Sequence, residues 1–182
     1  MKYYYDKEAA DKVVNFIEHY CTHVKGSMAL QSLKLEKWQK DDIIRPLFGW
    51  KKQDGSRKYK ITYIEIPRKN GKTTLAAAVG LALLFIDGEE GAEIYSAAAE
   101  RDQAAISFEI ASNMVLNNPT LKRKGQVWKK SIVYGSSFYK AISADANTKH
   151  GYNCSGILFD ELHVQKNRNL YDALQGGTAS RN

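Results

Sequence analysis

One stretch constrains this chain more than any other. Lys60-Ile61-Thr62-Tyr63-Ile64-Glu65-Ile66 has the β-branched and aromatic composition of a strand, and Lys72 to Ile86 is a mostly apolar run of helical length. Between them lies Pro67-Arg68-Lys69-Asn70-Gly71-Lys72-Thr73-Thr74. A strand feeding a loop that ends in Gly-Lys-Thr at a helix start is the setting of a Walker A phosphate loop. There, backbone N–H groups and the helix N-terminus present positive potential to phosphates. Lys72 would reach the β- and γ-phosphate oxygens, the Thr73 hydroxyl would ligate Mg²⁺, and Gly71 would let the backbone approach the anion. The usual pattern has glycine five residues before Gly71, where this chain has Ile66. A chance Gly-Lys-Thr in a basic surface loop is the competing reading.

An acidic strand end weighs against chance. Gly156-Ile157-Leu158-Phe159 is a short apolar strand followed by Asp160-Glu161, the form of a Walker B segment. It delivers carboxylates at a strand C-terminus, where open α/β sheets bind ligands. Asp160 would hold Mg²⁺ through its water shell and Glu161 would polarise the attacking water. Neighbouring strand residues point to opposite faces, so the chain must turn for both to serve one site. The alternative is a plain strand with a solvated acidic turn. His163 could sense a γ-phosphate, but a structural or solvent-facing role is the favoured reading.

The rest of the sequence predicts an α/β fold, with a mainly parallel sheet flanked by helices and a small N-terminal helical arm. Lys7 to Thr22 has apolar residues at three- and four-residue spacing, and a second helix is expected from Leu35 to Arg45, ending before Pro46. The polar segment Lys51 to Lys58 marks a boundary between an arm, 1–57, and a core, 58–182. Within the core, Ala92–Ala97 reads as a strand, Glu100–Asn117 as a helix, and Ser131–Ser143 as a hairpin. At 182 residues, 43% hydrophobic and 26% charged, the chain is not disordered, collagenous or a disulfide scaffold. Its two cysteines, Cys21 and Cys154, fit a reducing compartment. No apolar run is long enough to span a bilayer, and the expected location is cytoplasmic.

At these residues the chain resembles the ATPase domain of the large terminase subunit of tailed bacteriophages. The resemblance runs from about Leu35 to Asn182. It rests on Leu35-Glu36-Lys37-Trp38-Gln39, on Pro67 through Thr74, on Tyr95 through Ala104 with its Glu100-Arg101-Asp102-Gln103, and on Gly151 through Asp160-Glu161-Leu162-His163. An arginine in the glycine region of Walker A is typical of that family. The resemblance implies a P-loop NTPase of the additional-strand type that hydrolyses ATP with Mg²⁺ to package double-stranded viral DNA. It implies a homo-oligomeric ring working with the portal protein and a small terminase subunit in the cytoplasm of a bacterial host, with no membrane partner. Residue by residue, Gln39 matches the adenine-reading glutamine and Arg68 the arginine that contacts the γ-phosphate. Pro67, Lys69, Asn70, Gly71 and Thr74 complete the nucleotide-binding loop. Lys72, Thr73, Asp160 and Glu161 keep the roles given above, with Arg68, Lys72 and Glu161 catalytic. Outside the resemblance, Gln39 reads as a solvated amide beside a packing tryptophan, and Arg68 and Lys69 as basic loop residues.

Two departures qualify the resemblance. Where many terminases carry Arg-Gly before Walker B, this chain has Lys149-His150-Gly151. Lysine lacks the bidentate fork of arginine, so a trans-acting finger is unassigned; Arg168 and Arg181 are other candidates. The chain also stops at Asn182 without the acidic cluster of the family's nuclease domain, and is expected to be an N-terminal portion without nuclease activity. Its 27 Lys and Arg against 20 Asp and Glu give a net charge of +7. Lys122-Arg123-Lys124 and Lys129-Lys130, around Trp128, could grip DNA backbone non-specifically or form a solvated face. Tyr3-Tyr4-Tyr5 reads as an arm packing on the core. A helicase-like ATPase and a nucleotide- or DNA-binding module without turnover are the competing functions.

Overall fold

The computed structural model describes residues 2–67, 69–143, 151–165 and 167–178, and divides into two compact units, Met1–Asn70 and Gly71–Asn182. In the first unit, β1 (Tyr3–Tyr5) pairs antiparallel with β2 (Trp50–Lys52). The tyrosines stay about two-fifths exposed, with Tyr5 set edge-on to Trp50. They form a ribbon with β2 and are not swallowed by a core. Asp6 then caps α1 (Lys7–Tyr20) by accepting the Ala9 N–H. The buried residues of α1 are Ala10, Val13, Val14, Phe16 and Ile17; Ala10, Val13 and Ile17 keep the predicted spacing, whereas Tyr20 at the helix end is exposed.

The second predicted helix differs from expectation. It does not stop before Pro46: a π-helical stretch, Gln39–Ile44, runs directly into α2 (Arg45–Gly49). Arg45 N–H reaches back five residues to the Lys40 carbonyl. The wider turn leaves room for the proline ring, whose missing N–H needs no acceptor. Ile43, Ile44 and Phe48 fill the core of this unit with α1.

Residues 60–66 also depart from expectation. They are irregular, and Ile61 and Tyr63 are about 70% exposed. Their strand-like composition finds no ladder among the described residues, and a strand without a neighbour has no partners for its N–H and C=O groups.

The second unit holds a mixed sheet of β4 (Gln126–Trp128), β5 (Ser131–Tyr134), β6 (Ser137–Ser143), β3 (Glu93–Ala98) and β7 (Gly156–Phe159), in that spatial order. β3 runs parallel to β6 and β7, but β4, β5 and β6 form an antiparallel meander. This corrects the mainly parallel expectation: connections of two residues can only reverse the chain, whereas parallel neighbours need a crossover. The hairpin itself lies where the sequence puts it. The helices are α3 (Lys72–Phe85), α4 (Arg101–Asn117), α5 (Pro119–Lys124) and α6 (Asn169–Gly177).

Strand alternation sorts the layers. Tyr95 and Ala97 point to one face, where they pack with Cys154, Leu170 and Leu174, the last two from α6. Ile94, Tyr139 and Leu158 belong to the other face, which α3 and α4 cover. The α3 helix is apolar nearly all round, with Leu75, Leu81 and Leu84 almost fully buried. Each such leucine contributes about 2 kcal/mol of burial. Gly80 lets α3 approach the sheet: a Cβ there would lie 2.6 Å from Leu158 Cδ1 and 3.0 Å from the ring of buried Tyr139. Gly80→Val is therefore expected to cost about 1–3 kcal/mol in urea unfolding. Gly176→Ala, where an added Cβ meets no atom within 4 Å, should change stability by less than ~1 kcal/mol. Equal stability of the two variants would refute this packing of α3.

Candidate active site

The site begins at the head of α3. Gly71 has φ +74°, a left-handed turn suited to glycine, and among the described residues no side chain caps the helix start. The first-turn N–H groups of a helix have no intrahelical acceptor, the arrangement that suits an anion. Lys72 and Thr73 project from this turn. Upstream, Lys69 is also left-handed, with φ +69°, and the Asn70 amide donates to the Pro67 carbonyl at 3.1 Å.

The second half of the site is the end of β7. Parity along the strand places Asp160 on the same face as Leu158, toward α3 and α4. Its N–H still pairs with the Ala97 carbonyl of β3 at 2.9 Å. Glu161 would point the other way, but its backbone turns left-handed, with φ +50°. This is the turn the sequence requires if both carboxylates are to share a site. A 3-10 turn, Leu162–Val164, follows.

The geometry joins the two halves across 87 and 89 residues of sequence. Lys72 Nζ lies 2.9 Å from Glu161 Oε1, and the Thr73 hydroxyl donates to Asp160 Oδ2 at 3.3 Å. Asp160 is 7% exposed, whereas Lys72 and Glu161 are about one-third exposed. Asp160 Oδ1 accepts the Glu161 N–H at 3.0 Å. Two further residues come into the site. Gln103 Nε2, on the first turns of α4, lies 3.4 Å from Asp160 Oδ2, and His163 Nδ1 lies 3.3 Å from Glu161 Oε2. The His163 side chain is otherwise solvent-facing, as expected. Beneath the site, burial pushes the Tyr139 phenol up to about 12, so it stays a neutral hydrogen-bonding group.

The structure thus brings together Lys72, Thr73, Asp160 and Glu161. Gln39 belongs to the first unit, where it is buried and its Oε1 accepts the Glu36 N–H at 2.9 Å. Pro67, Lys69 and Asn70 belong to that unit as well. Arg68, Lys149, His150 and Arg181 lie outside the described residues. Arg168 pairs with Asp172 of α6 at 3.3 Å. Sequence reasoning quoted Gln103 without giving it a task. The usable signal was its position at the head of the helix after β3, the strand beside the acidic one, where α/β sheets gather their ligands.

The fold is a mixed α/β sheet flanked by helices that brings Lys72, Thr73, Asp160 and Glu161 together at one end, and comparison with known proteins makes the class specific. Residues 37–182 match the family of the terminase large subunit, ATPase domain, and the chain belongs to that family. Among characterised relatives, it is 34% identical over 156 residues to the terminase large subunit of Enterobacteria phage HK97, covering 83% of this chain and 30% of that protein. The crystal structure of the HK97 large terminase superposes with a TM-score of 0.81 at 28% identity, covering 95% of this chain and 36% of that one. The chain therefore spans about a third of the length of the relatives it matches.

The Lys72–Glu161 pair is too exposed to be a structural keystone, since ion pairs of this kind contribute about 0–1 kcal/mol. Lys72→Met and Glu161→Gln should each shift the urea unfolding free energy by no more than ~1 kcal/mol. A larger loss would mean that the pair serves the fold and not the chemistry.

Proposed function

We propose that the chain is the ATP-hydrolysing motor portion of a phage terminase large subunit, which drives double-stranded viral DNA into the capsid. The observation that carries this reading is the meeting of Lys72 with Glu161 and of Thr73 with Asp160 at the head of one helix and the end of one strand. In this reading Lys72 binds the β- and γ-phosphate oxygens, aided by the N–H groups of Gly71, Lys72, Thr73 and Thr74. By the family's motifs, Gln39 reads the adenine, Arg68 contacts the γ-phosphate, and Pro67, Lys69 and Asn70 shape the loop. Glu161 holds and polarises the attacking water, and most of the acceleration comes from positioning and charge.

Thr73 and Asp160 present two hard oxygen donors side by side, and they would hold Mg²⁺. Among the described residues no group of three or more His, Cys, Asp or Glu is arranged for a metal. One hydroxyl and one carboxylate suit Mg²⁺ all the same, because it keeps several waters and shares phosphate oxygens. When bound, it supplies positive charge against the phosphates.

The additional-strand topology belongs to this reading: β7 has β3 on one edge and no neighbour on the other among the described residues, which leaves an edge for a further strand. The family's ring, its portal and small-subunit partners and its work in the host cytoplasm are carried with it. No described helix is long and apolar enough to cross a membrane. For DNA, the candidate grip is the exposed run of Lys122, Arg123 and Lys124 at the end of α5, with Lys129 and Lys130 beyond Trp128 at the β4–β5 turn.

Lys72→Ala should abolish binding of a fluorescent ATP analogue in Mg²⁺. Glu161→Gln should keep that binding and lower phosphate release by about 10²–10⁴-fold, the range for a lost general base. Unchanged binding in Lys72→Ala would falsify the site. Separately, replacing Lys129 and Lys130 by alanine should weaken duplex DNA binding alike on unrelated sequences. It should also flatten the dependence of log affinity on log salt by about 2. An unchanged salt slope, measured by fluorescence anisotropy, would move the DNA contact elsewhere.

A further inference from the structure

The family motif around Gln103 carries a side chain that the reading above leaves without a task. Asp160 is nearly buried, and its carboxylate has three donors. Oδ1 accepts the Glu161 backbone N–H at 3.0 Å; Oδ2 accepts the Thr73 hydroxyl at 3.3 Å and the Gln103 amide at 3.4 Å. An ionised carboxylate accepts only, so the amide must turn its NH₂ toward Asp160 and its oxygen away.

The approach of Gln103 is built into the fold. Ser96 Oγ, on β3, donates to the carbonyl of Ala104 at 3.1 Å, and both Ser96 and Ala104 are buried. This pins the first turns of α4 to the strand adjacent to β7. Further along, Phe108 meets Tyr139 edge-on with ring centroids 5.9 Å apart, which fixes the helix rotation. Gln103, one residue before Ala104, is thereby held over the strand end that carries Asp160.

We propose that Gln103 is a positioning residue for the metal-side carboxylate: its amide fixes the plane in which Asp160 faces the Mg²⁺ site. This rests on the ATPase reading. A hydroxyl that ligates a cation through a lone pair still has its hydrogen to donate, so Thr73 can face Mg²⁺ and keep its bond to Oδ2. The Gln103 amide is the second side-chain donor on Oδ2, and it comes from a different helix than Thr73. Being neutral, it orients the carboxylate without cancelling the charge that attracts the ion.

The test uses Gln103→Met, which keeps the length of the side chain and removes the donor. Uptake of a fluorescent ATP analogue is titrated with Mg²⁺. The half-saturating Mg²⁺ concentration should rise about five- to tenfold, in keeping with loss of one long hydrogen bond to a charged group. Nucleotide affinity at saturating Mg²⁺ and the melting temperature should stay those of the parent chain. A purely structural role would lower the melting temperature and leave the Mg²⁺ dependence alone, and that result overturns the proposal. A second readout needs neither metal nor nucleotide. The Gln103 side-chain amide resonance, assigned by its absence in Gln103→Met, should shift in Asp160→Asn. If the parent chain takes up no nucleotide at any Mg²⁺ concentration, the ATPase reading fails. The amide resonance then decides on Gln103 alone, and an unmoved signal overturns its contact with Asp160.

Discussion

The backbone turn at Glu161 is the constraint on which the site depends. Strand alternation would send Asp160 and Glu161 to opposite faces of the sheet, one toward α3 and α4 and the other toward α6. A left-handed φ of +50° at Glu161 ends the strand and brings the second carboxylate round to Lys72. For a residue with a side chain this conformation costs about 1–2 kcal/mol. It is offset locally: the Glu161 N–H donates to Asp160 Oδ1, and its carbonyl accepts the Val164 N–H of the following 3-10 turn at 3.0 Å. Strain of this kind persists where the surroundings over-determine it, and such places are commonly functional.

The site is precise because both helices that reach it are anchored well behind it. Lys72 and Thr73 stand at the head of α3, whose body is buried against Tyr139 and Leu158 through the gap at Gly80. α4 is held by Ser96 below its first turns and by Phe108 on Tyr139. Tyr139 thus serves both helices from the middle of the sheet, fully buried, with its hydroxyl 3.5 Å from Ser107 Oγ. Side chains at the tips of elements packed in this way hold catalytic distances better than side chains on free loops.

Much of this was legible in the sequence, because the informative signals are local. The apolar run after Gly71 reads as a buried helix, and Ser131 to Ser143 as a hairpin, and both are found there. The strand end at Asp160 and the need for a turn after it follow from the period of a strand alone. What failed depended on partners. Residues 60–66 have strand composition, but composition supplies no neighbour. Pro46 ends most helices, yet a π turn one step earlier accommodates it, and nothing in the local pattern announces that turn. α6 packs by Leu170 and Leu174 on Tyr95 and Cys154, contacts of long sequence separation that no window of residues reveals. Gln103 was visible only as part of a motif, since its task depends on β3 and β7 being neighbours.

The two acidic residues differ in surroundings more than in chemistry. Asp160 is buried, and its donors are all neutral: a backbone N–H, a hydroxyl and an amide. Neutral donors orient a carboxylate while leaving its full charge for a cation. Glu161 is about one-third exposed and faces two groups that carry or can take a positive charge, Lys72 and His163. Lys72 also has the reach and charge to serve phosphate oxygens, so a competing anion can draw it from Glu161 at little cost in stability. Glu161 thus has exchangeable partners at the solvent edge, and Asp160 has neutral partners in the interior. One strand end supplies both because the chain turns between them, and unequal environments of this kind give paired carboxylates different properties.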